Sequence, residues 1–251
     1  MNCPAERWGY MAFKMDEIKT GNVRGMFAGI SSDYDFMNRL MTFGMDISWR
    51  RFLLSKADMP EGGMLLDVGT GTGDIAFEAL RIDPTLRVTG VDFTSEMMEV
   101  GRKRKAAEKI NWCLADALCL PFPDAAFDAV VSGFLVRNVS DVRSVFKEQA
   151  RVVKPGGWVV CLDTSPAVKN IFKPLIELYL RVVIPLLGKL LTGKGDAYRY
   201  LTNSTMNFIK PQALLEIMSE TGLEKVAFKR LMFGNIAVHW GMRPEGEREK
   251  P

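Results

Sequence analysis

From Met64 onward short apolar runs alternate with helical stretches, and no other feature of the 251 residues restricts the fold as far. Met64–Val68 reads as a strand, Ile75–Ile82 as a helix, Leu86–Val91 as a strand and Glu96–Lys109 as a helix. Asn111–Leu114 and Phe127–Gly133 follow as strands, Val142–Val153 as a helix and Gly157–Leu162 as a strand, restarted after the stop Lys154-Pro155-Gly156-Gly157. Strands joined through helices need crossover connections, which lay them parallel with helices on both faces. The expected class is α/β, a doubly wound, mostly parallel sheet. A helix from Gln212 to Glu220 and two β runs, Lys225–Met232 and Asn235–Trp240, would add an antiparallel C-terminal edge. Residues 1–60, with helical signals at Ser32–Met41 and Ile47–Ala57, are expected to form an N-terminal helical lid over the strand ends. Residues 61–244 would form the main domain, with a helical insertion at 166–211, and 245–251 a charged tail.

Composition removes several function classes. Hydrophobic residues make up 47% and charged residues 25%, enough apolar material for a core and too little net charge for disorder. The formal charge of +3 falls short of the clustered basicity of a nucleic-acid binder. Four scattered cysteines and a single histidine, His239, give no structural zinc pattern, so no metal is expected. His239 lies in a terminal β run, where a packed structural role is the better reading than a base. No signal peptide is read in Met1–Thr20, and a reducing cytoplasm is the expected compartment.

The first strand runs into LLDVGTGTGD, Leu65 to Asp74, and then a helix. Gly69, Gly71 and Gly73 allow a tight turn and close approach of a ligand to the backbone at a helix N-terminus. The dinucleotide spacing GxGxxG fails because its third glycine position holds Asp74. Asp74 would repel a pyrophosphate and suit a cation. Asp92, followed by Phe93, ends the second strand where ribose hydroxyls are bound, and Asp116, followed by Ala117, ends the third. A glycine turn, two strand-end carboxylates and no phosphate cradle describe a site for a positively charged adenosine without phosphates. S-adenosylmethionine fits that description.

Further blocks resemble the ubiquinone/menaquinone biosynthesis C-methyltransferase family, over roughly residues 26 to 241. Phe27, Ile30, Ser31, Tyr34, Asp35, Met37 and Asn38, then Gly44, Trp49 and Arg50, match its opening block. Leu120-Pro121-Phe122-Pro123-Asp124, Arg137-Asn138-Val139, Ala150 to Gly157, Tyr198-Arg199-Tyr200-Leu201 with Ser204, and Ala237 to Gly241 match later ones. Two positions depart from the family: Leu135 stands where it has glycine, and Asp163 where it has glutamate. Both are expected beside the acceptor pocket.

The resemblance implies a Rossmann-like methyltransferase that places a methyl group on the ring carbon of a prenylated quinol. It carries the donor site onto Thr72, Asp92, Asp116, Ala117 and Ser132, beside Asp67, the glycine turn and Phe93. Aligning donor and acceptor supplies up to about 7–11 kcal/mol. The carbon nucleophile still needs a phenolic proton to leave. Tyr34, Asp35, Asn38, Arg137, Asn138 and Tyr200 are the polar candidates: Arg137 would hold the quinol oxygen, and Asp35, or a water it positions, would take the proton. The rival for these two is a structural Arg137–Asp35 ion pair. The tract Ile171–Leu191 is interrupted by Lys173, Glu177, Arg181 and Lys189 and by Pro174 and Pro185, so it is not expected to span a bilayer. Together with the lid before Gly62 it is expected to hold the isoprenoid tail, and the tract to give peripheral contact at the inner face of the membrane. A homodimer and a quinone-synthesis assembly are both compatible with the sequence. Rival readings are a methyltransferase for another small phenolic or lipid-like acceptor, a nicotinamide-dependent oxidoreductase, and a non-catalytic donor-binding subunit.

Overall fold

A sheet of seven strands, ordered β3-β2-β1-β4-β5-β7-β6, organises the computed structural model, which describes residues 23–166, 171 and 173–245. The strands are β1 (Met64–Val68), β2 (Arg87–Asp92), β3 (Ile110–Leu114), β4 (Phe127–Gly133), β5 (Val153–Thr164), β6 (Glu224–Leu231) and β7 (Ile236–Met242). The first five are parallel; β7 runs antiparallel to β5, and β6 antiparallel to β7. Leu65, Leu66, Val68, Val130 and Val131 are fully buried because both sheet faces are covered, so these strands read as unbroken apolar runs. The expected lid residues 1–22, the expected insertion residues 167–170 and 172, and the tail after Glu245 lie outside the described residues.

The helices are α1 (Tyr34–Met41), α2 (Asp46–Leu54), α3 (Asp74–Ile82), α4 (Ser95–Arg102), α5 (Val142–Val152), α6 (Lys173–Leu178), α7 (Ile184–Thr192), α8 (Gly195–Met206) and α9 (Pro211–Glu220). Most boundaries fall within one to three residues of expectation. Two differ for physical reasons. The helix expected over Glu96–Lys109 stops at Arg102, and a 3-10 turn, Ala107–Lys109, follows. The break lets Arg104 swing onto Asp74 and the Thr72 carbonyl, at 2.7 and 3.1 Å. The strand expected from Gly157 begins at Val153, and Lys154-Pro155-Gly156-Gly157 forms a bulge inside it: pairing jumps from Phe127–Val153 to Ala129–Trp158, with Gly156 at φ +79.

The expected lid divides between two cores. Trp49, Leu53 and Leu54 of α2 pack with Leu65, Ile75 and Val131 against the sheet. Ile30 and Met37 instead pack with Ile184, Tyr198 and Leu201 of the helical insertion, forming a separate cap. Between α6 and α7 the segment Tyr179–Val183 widens into a π-helix just before Pro185, whose ring and missing N–H disrupt a regular turn. Among the described residues no helix is long and apolar enough to cross a membrane.

Candidate active site

Strand order reverses between β2 and β4 on either side of β1, and an α/β sheet opens a ligand crevice at such a point. Val68 pairs with Val91 and with Ser132, so the glycine turn, Asp92 and Gly133 emerge level with one another. Gly69, Gly71 and Gly73 take φ of +72, +55 and +87, a region costly for residues with a Cβ. The amides of Gly69 and Thr70 donate to the Val91 carbonyl at 2.8 and 2.9 Å, tying the turn to β2. Asp92 accepts from the amides of Gly71 and Thr94, each at 2.8 Å, which fixes its carboxylate and leaves lone pairs for hydroxyl donors. Burial pushes its pKa up, against those amide bonds.

Gly69, Gly71, Thr72, Asp92, Phe93 and Asn138 line this cleft. Asp67 and Ser132 lie beneath it in β1 and β4. Asp67 accepts from Thr70 Oγ1 at 2.7 Å, and burial, opposed by that bond, pushes its pKa up to about 7. Asp116 is exposed, caps its own turn through the Leu118 amide at 2.9 Å, and with Ala117 stands outside the lining. Asn138 Oδ1 is a buried acceptor with no partner, as are Asp67 Oδ1 and the Ser132 hydroxyl. An acceptor-rich cleft suits a ligand that brings hydroxyls, an ammonium and a sulfonium, so the residues fit S-adenosylmethionine.

Asp74 does not stand as a bare negative charge. It is held by Arg50 at 3.0 Å, Arg104 at 2.7 Å and Arg39 at 3.5 Å, and Arg39 and Arg50 also grip buried Asp46. Burial raises its pKa, but the three guanidiniums outweigh that and hold it below the usual carboxylate range. Asp35 joins the same network: it accepts from Thr72 Oγ1 at 2.5 Å and lies 3.4 Å from Arg104. These contacts fasten the α1 and α2 segment to the glycine turn.

A second cavity, of about 440 Å³, adjoins the cleft, and Tyr34, Arg50 and Phe134 line both. Phe134 sits at φ +58 and donates its amide to the Leu162 carbonyl at 2.7 Å, so a sharply turned backbone forms the partition. The cavity wall is chiefly apolar, with Tyr34, Asn38 and Arg137 among its few polar groups. The Arg137 side chain is 6% exposed; its Nη1 donates to Asp163 Oδ1 at 2.6 Å and its amide to Asp163 Oδ2 at 3.2 Å. Its Nε has no partner. Burial raises the Tyr34 pKa despite Arg137 and Asn38, keeping the phenol protonated at neutral pH. Phe43, Leu175 and Phe233 line the cavity while 73%, 65% and 64% exposed, so its mouth is apolar.

The expected polar set is thus divided. Tyr34, Asn38 and Arg137 meet in the cavity, and Asn138 faces the cleft. Tyr200 packs against the cap core, its pKa raised by burial. Asp35 stands at the glycine turn, outside the cavity lining, and the partner of Arg137 is Asp163 rather than Asp35. The two family departures separate likewise: Asp163 holds Arg137, whereas Leu135 lines the cleft, where a Cβ on Gly69 would lie 2.9 Å from its Cδ1. Sequence reasoning missed Arg50 and Phe134; the Trp49-Arg50 pair was visible, but nothing in it revealed a buried arginine between two chambers. His239 is buried, bonded to the Pro211 carbonyl at 2.9 Å and stacked on Phe228, and it lines neither the cleft nor the cavity. Among the described residues no group of three His, Cys, Asp or Glu could hold a metal ion.

Comparison with known proteins adds to this geometry. The model of the ubiE/COQ5 methyltransferase family matches residues 14–243. A ubiquinone/menaquinone biosynthesis C-methyltransferase from Desulfotalea psychrophila is 46% identical over 225 residues, covering 90% of this chain and 92% of that protein. A demethylmenaquinone methyltransferase from Thermus thermophilus is 40% identical over 221 residues, covering 87% and 100%. Among solved structures, a SAM-dependent methyltransferase from Thermotoga maritima superposes with a TM-score of 0.64 at 17% identity, covering 88% and 99%. The geranyl diphosphate C-methyltransferase of Streptomyces coelicolor gives 0.57 at 16% identity, covering 78% of each chain. Both structural likenesses are of fold.

Proposed function

Since the chain belongs to the ubiE/COQ5 methyltransferase family, we propose that it methylates a ring carbon of a prenylated quinol, from S-adenosylmethionine, in respiratory quinone biosynthesis. The observation that carries this reading is the shared wall: Tyr34, Arg50 and Phe134 separate an acceptor-lined cleft from an apolar chamber, so donor and ring meet across one partition. The donor supplies an electrophilic methyl on a sulfonium. Gly69, Gly71, Thr72, Asp92 and Phe93 would hold it, with Asp92 on the ribose and Asn138 Oδ1 accepting from a donor group. Asp67 and Ser132 would support that floor from below, and Asp116 would act only at its rim.

Activation of the ring falls to Arg137. Its unpartnered Nε is the donor offered to a quinol oxygen, and a buried guanidinium favours the phenolate over the phenol. Asp163 sets its orientation, while Tyr34 and Asn38 complete the polar end of the chamber. Asp46 is the one carboxylate among the described lining residues, and Arg39, Arg50 and Thr42 already occupy it, so it makes a poor base. The same logic favours a reduced ring, because a quinone has no phenolic proton to lose.

The apolar mouth supports a lipid-dissolved acceptor and peripheral contact with the inner face of a membrane. The test is transfer of labelled methyl to demethylated naphthoquinol and benzoquinol, each with and without reductant. Label on a ring carbon only in reduced samples is expected; label on neither ring, with the donor bound, would overturn the choice of acceptor.

A further inference from the structure

Leu175, Leu178, Val182, Leu186 and Leu190 fall three or four residues apart along α6, the π-segment and α7, and each is between 51% and 70% exposed. Such an exposed apolar row is unusual on a protein surface and marks a contact with something apolar. One turn-width away, Arg181 and Lys189 share a helix face with it, and Arg199 of α8 faces them across a groove that Val182 and Leu186 also line. Asp196, paired with Arg199 at 3.2 Å, is the one carboxylate in that groove. Between Lys173 and Arg199 the sequence carries five cations against two carboxylates. The groove is not the methyl-transfer chamber: Arg181, Lys189 and Arg199 are absent from the lining of both the cleft and the cavity.

We infer that the groove between α7 and α8 seats the phosphate headgroup of an anionic phospholipid while the adjacent apolar row enters the acyl region of the same leaflet. Apolar side chains beside a cluster of arginine and lysine make a surface-lying element that reads lipid charge as well as oiliness. Arginine forks suit a phosphate diester, and the groove they line has a volume of about 410 Å³. This rests on the membrane reading above and deepens it, since the headgroup site holds the cavity mouth against the bilayer.

The test is sedimentation of the full chain with vesicles of phosphatidylcholine alone and with a third phosphatidylglycerol, beside the variant Arg181→Gln/Lys189→Gln/Arg199→Gln. Each cation close to an anionic surface contributes about fivefold to partitioning, so the native chain should prefer anionic vesicles by roughly 100-fold at low salt. The preference should collapse near 1 M salt, where charges are screened within about 3 Å. The variant should bind both vesicles alike, at the native chain's phosphatidylcholine level, and still methylate a short-tail quinol at the native rate. Inorganic phosphate at millimolar concentration should not displace the native chain; displacement would assign the groove to a free phosphate and overturn the lipid assignment. Native binding to both vesicles without preference, or a variant that keeps the preference, refutes the headgroup site alone. No binding to either vesicle refutes the membrane reading beneath it, and the headgroup site with it.

Discussion

Replacing Arg137 by methionine separates a chemical role from a structural one. Its guanidinium and Asp163 form a pair with side-chain exposures of 6% and 2% and a 2.6 Å hydrogen bond. Removing one member of a buried pair strands the other charge and costs roughly 3–5 kcal/mol. Two amides, from Arg137 and Thr164, still bond Asp163, which places the loss toward the lower figure. Adding Asp163→Asn removes the stranded charge, so chemical denaturation should show most of that stability returning. Turnover should not return. The loss of one preorganised donor to a developing oxyanion costs about 10²–10³ in kcat, and neutralising Asp163 does nothing to replace it. The assay is a denaturant midpoint beside kcat and quinol KM for the native chain, both single variants and the double variant. Recovery of turnover together with stability in the double variant would refute the reasoning and make Arg137 a folding residue only.

Other outcomes follow from the same structure. Asp35→Asn should raise the KM for S-adenosylmethionine several-fold and leave the pH dependence of kcat unchanged, because its carboxylate contacts Thr72 and Arg104 rather than the chamber; a lost acidic limb would restore Asp35 as proton acceptor. Gly101→Ala should cost about 1–3 kcal/mol and weaken donor binding in calorimetry, since its Cβ would lie 2.5 Å from Trp112 and 2.8 Å from the Thr72 carbonyl; unchanged stability and affinity would show that the turn yields. Burial, against the Pro211 bond, pushes the His239 pKa down to about 4 from 6.5, so the unfolded chain takes up a proton first as pH falls. Stability should therefore decline between pH 6.5 and 4 by about 3 kcal/mol, and His239→Leu should flatten that part of the profile.

What the sequence disclosed and what it hid divide along a physical line. The parallel strands were legible because burial on both faces forces unbroken apolar runs, and the donor turn because Gly69, Gly71 and Gly73 must adopt positive φ. Asp92 was legible because a strand end beside that turn has one geometric use. Asp116 has the same strand-end position as Asp92, but β3 lies at the sheet edge and its end is exposed, so it stands outside the cleft lining. The pairing of Arg137 was hidden because Asp163 lies 26 residues away and meets it only once β5 is in register beside β4. Arg39, Arg50 and Arg104 lie apart in sequence and are gathered on Asp74 only by folding.

The chamber is lined by Tyr34, Asn38 and Arg137 and opens at exposed Phe43, Leu175 and Phe233. Pockets of about 300–1,000 Å³ take ligands the size of a bicyclic head with little beyond it, and this one, at about 440 Å³, lies near the small end. A ring that enters head first leaves its isoprenoid trailing into whatever lies outside. On the acceptor proposed above, the chamber contacts the head and leaves the number of repeats behind it unread. For that acceptor, tail length is then set by the reaction that attaches the chain to the ring.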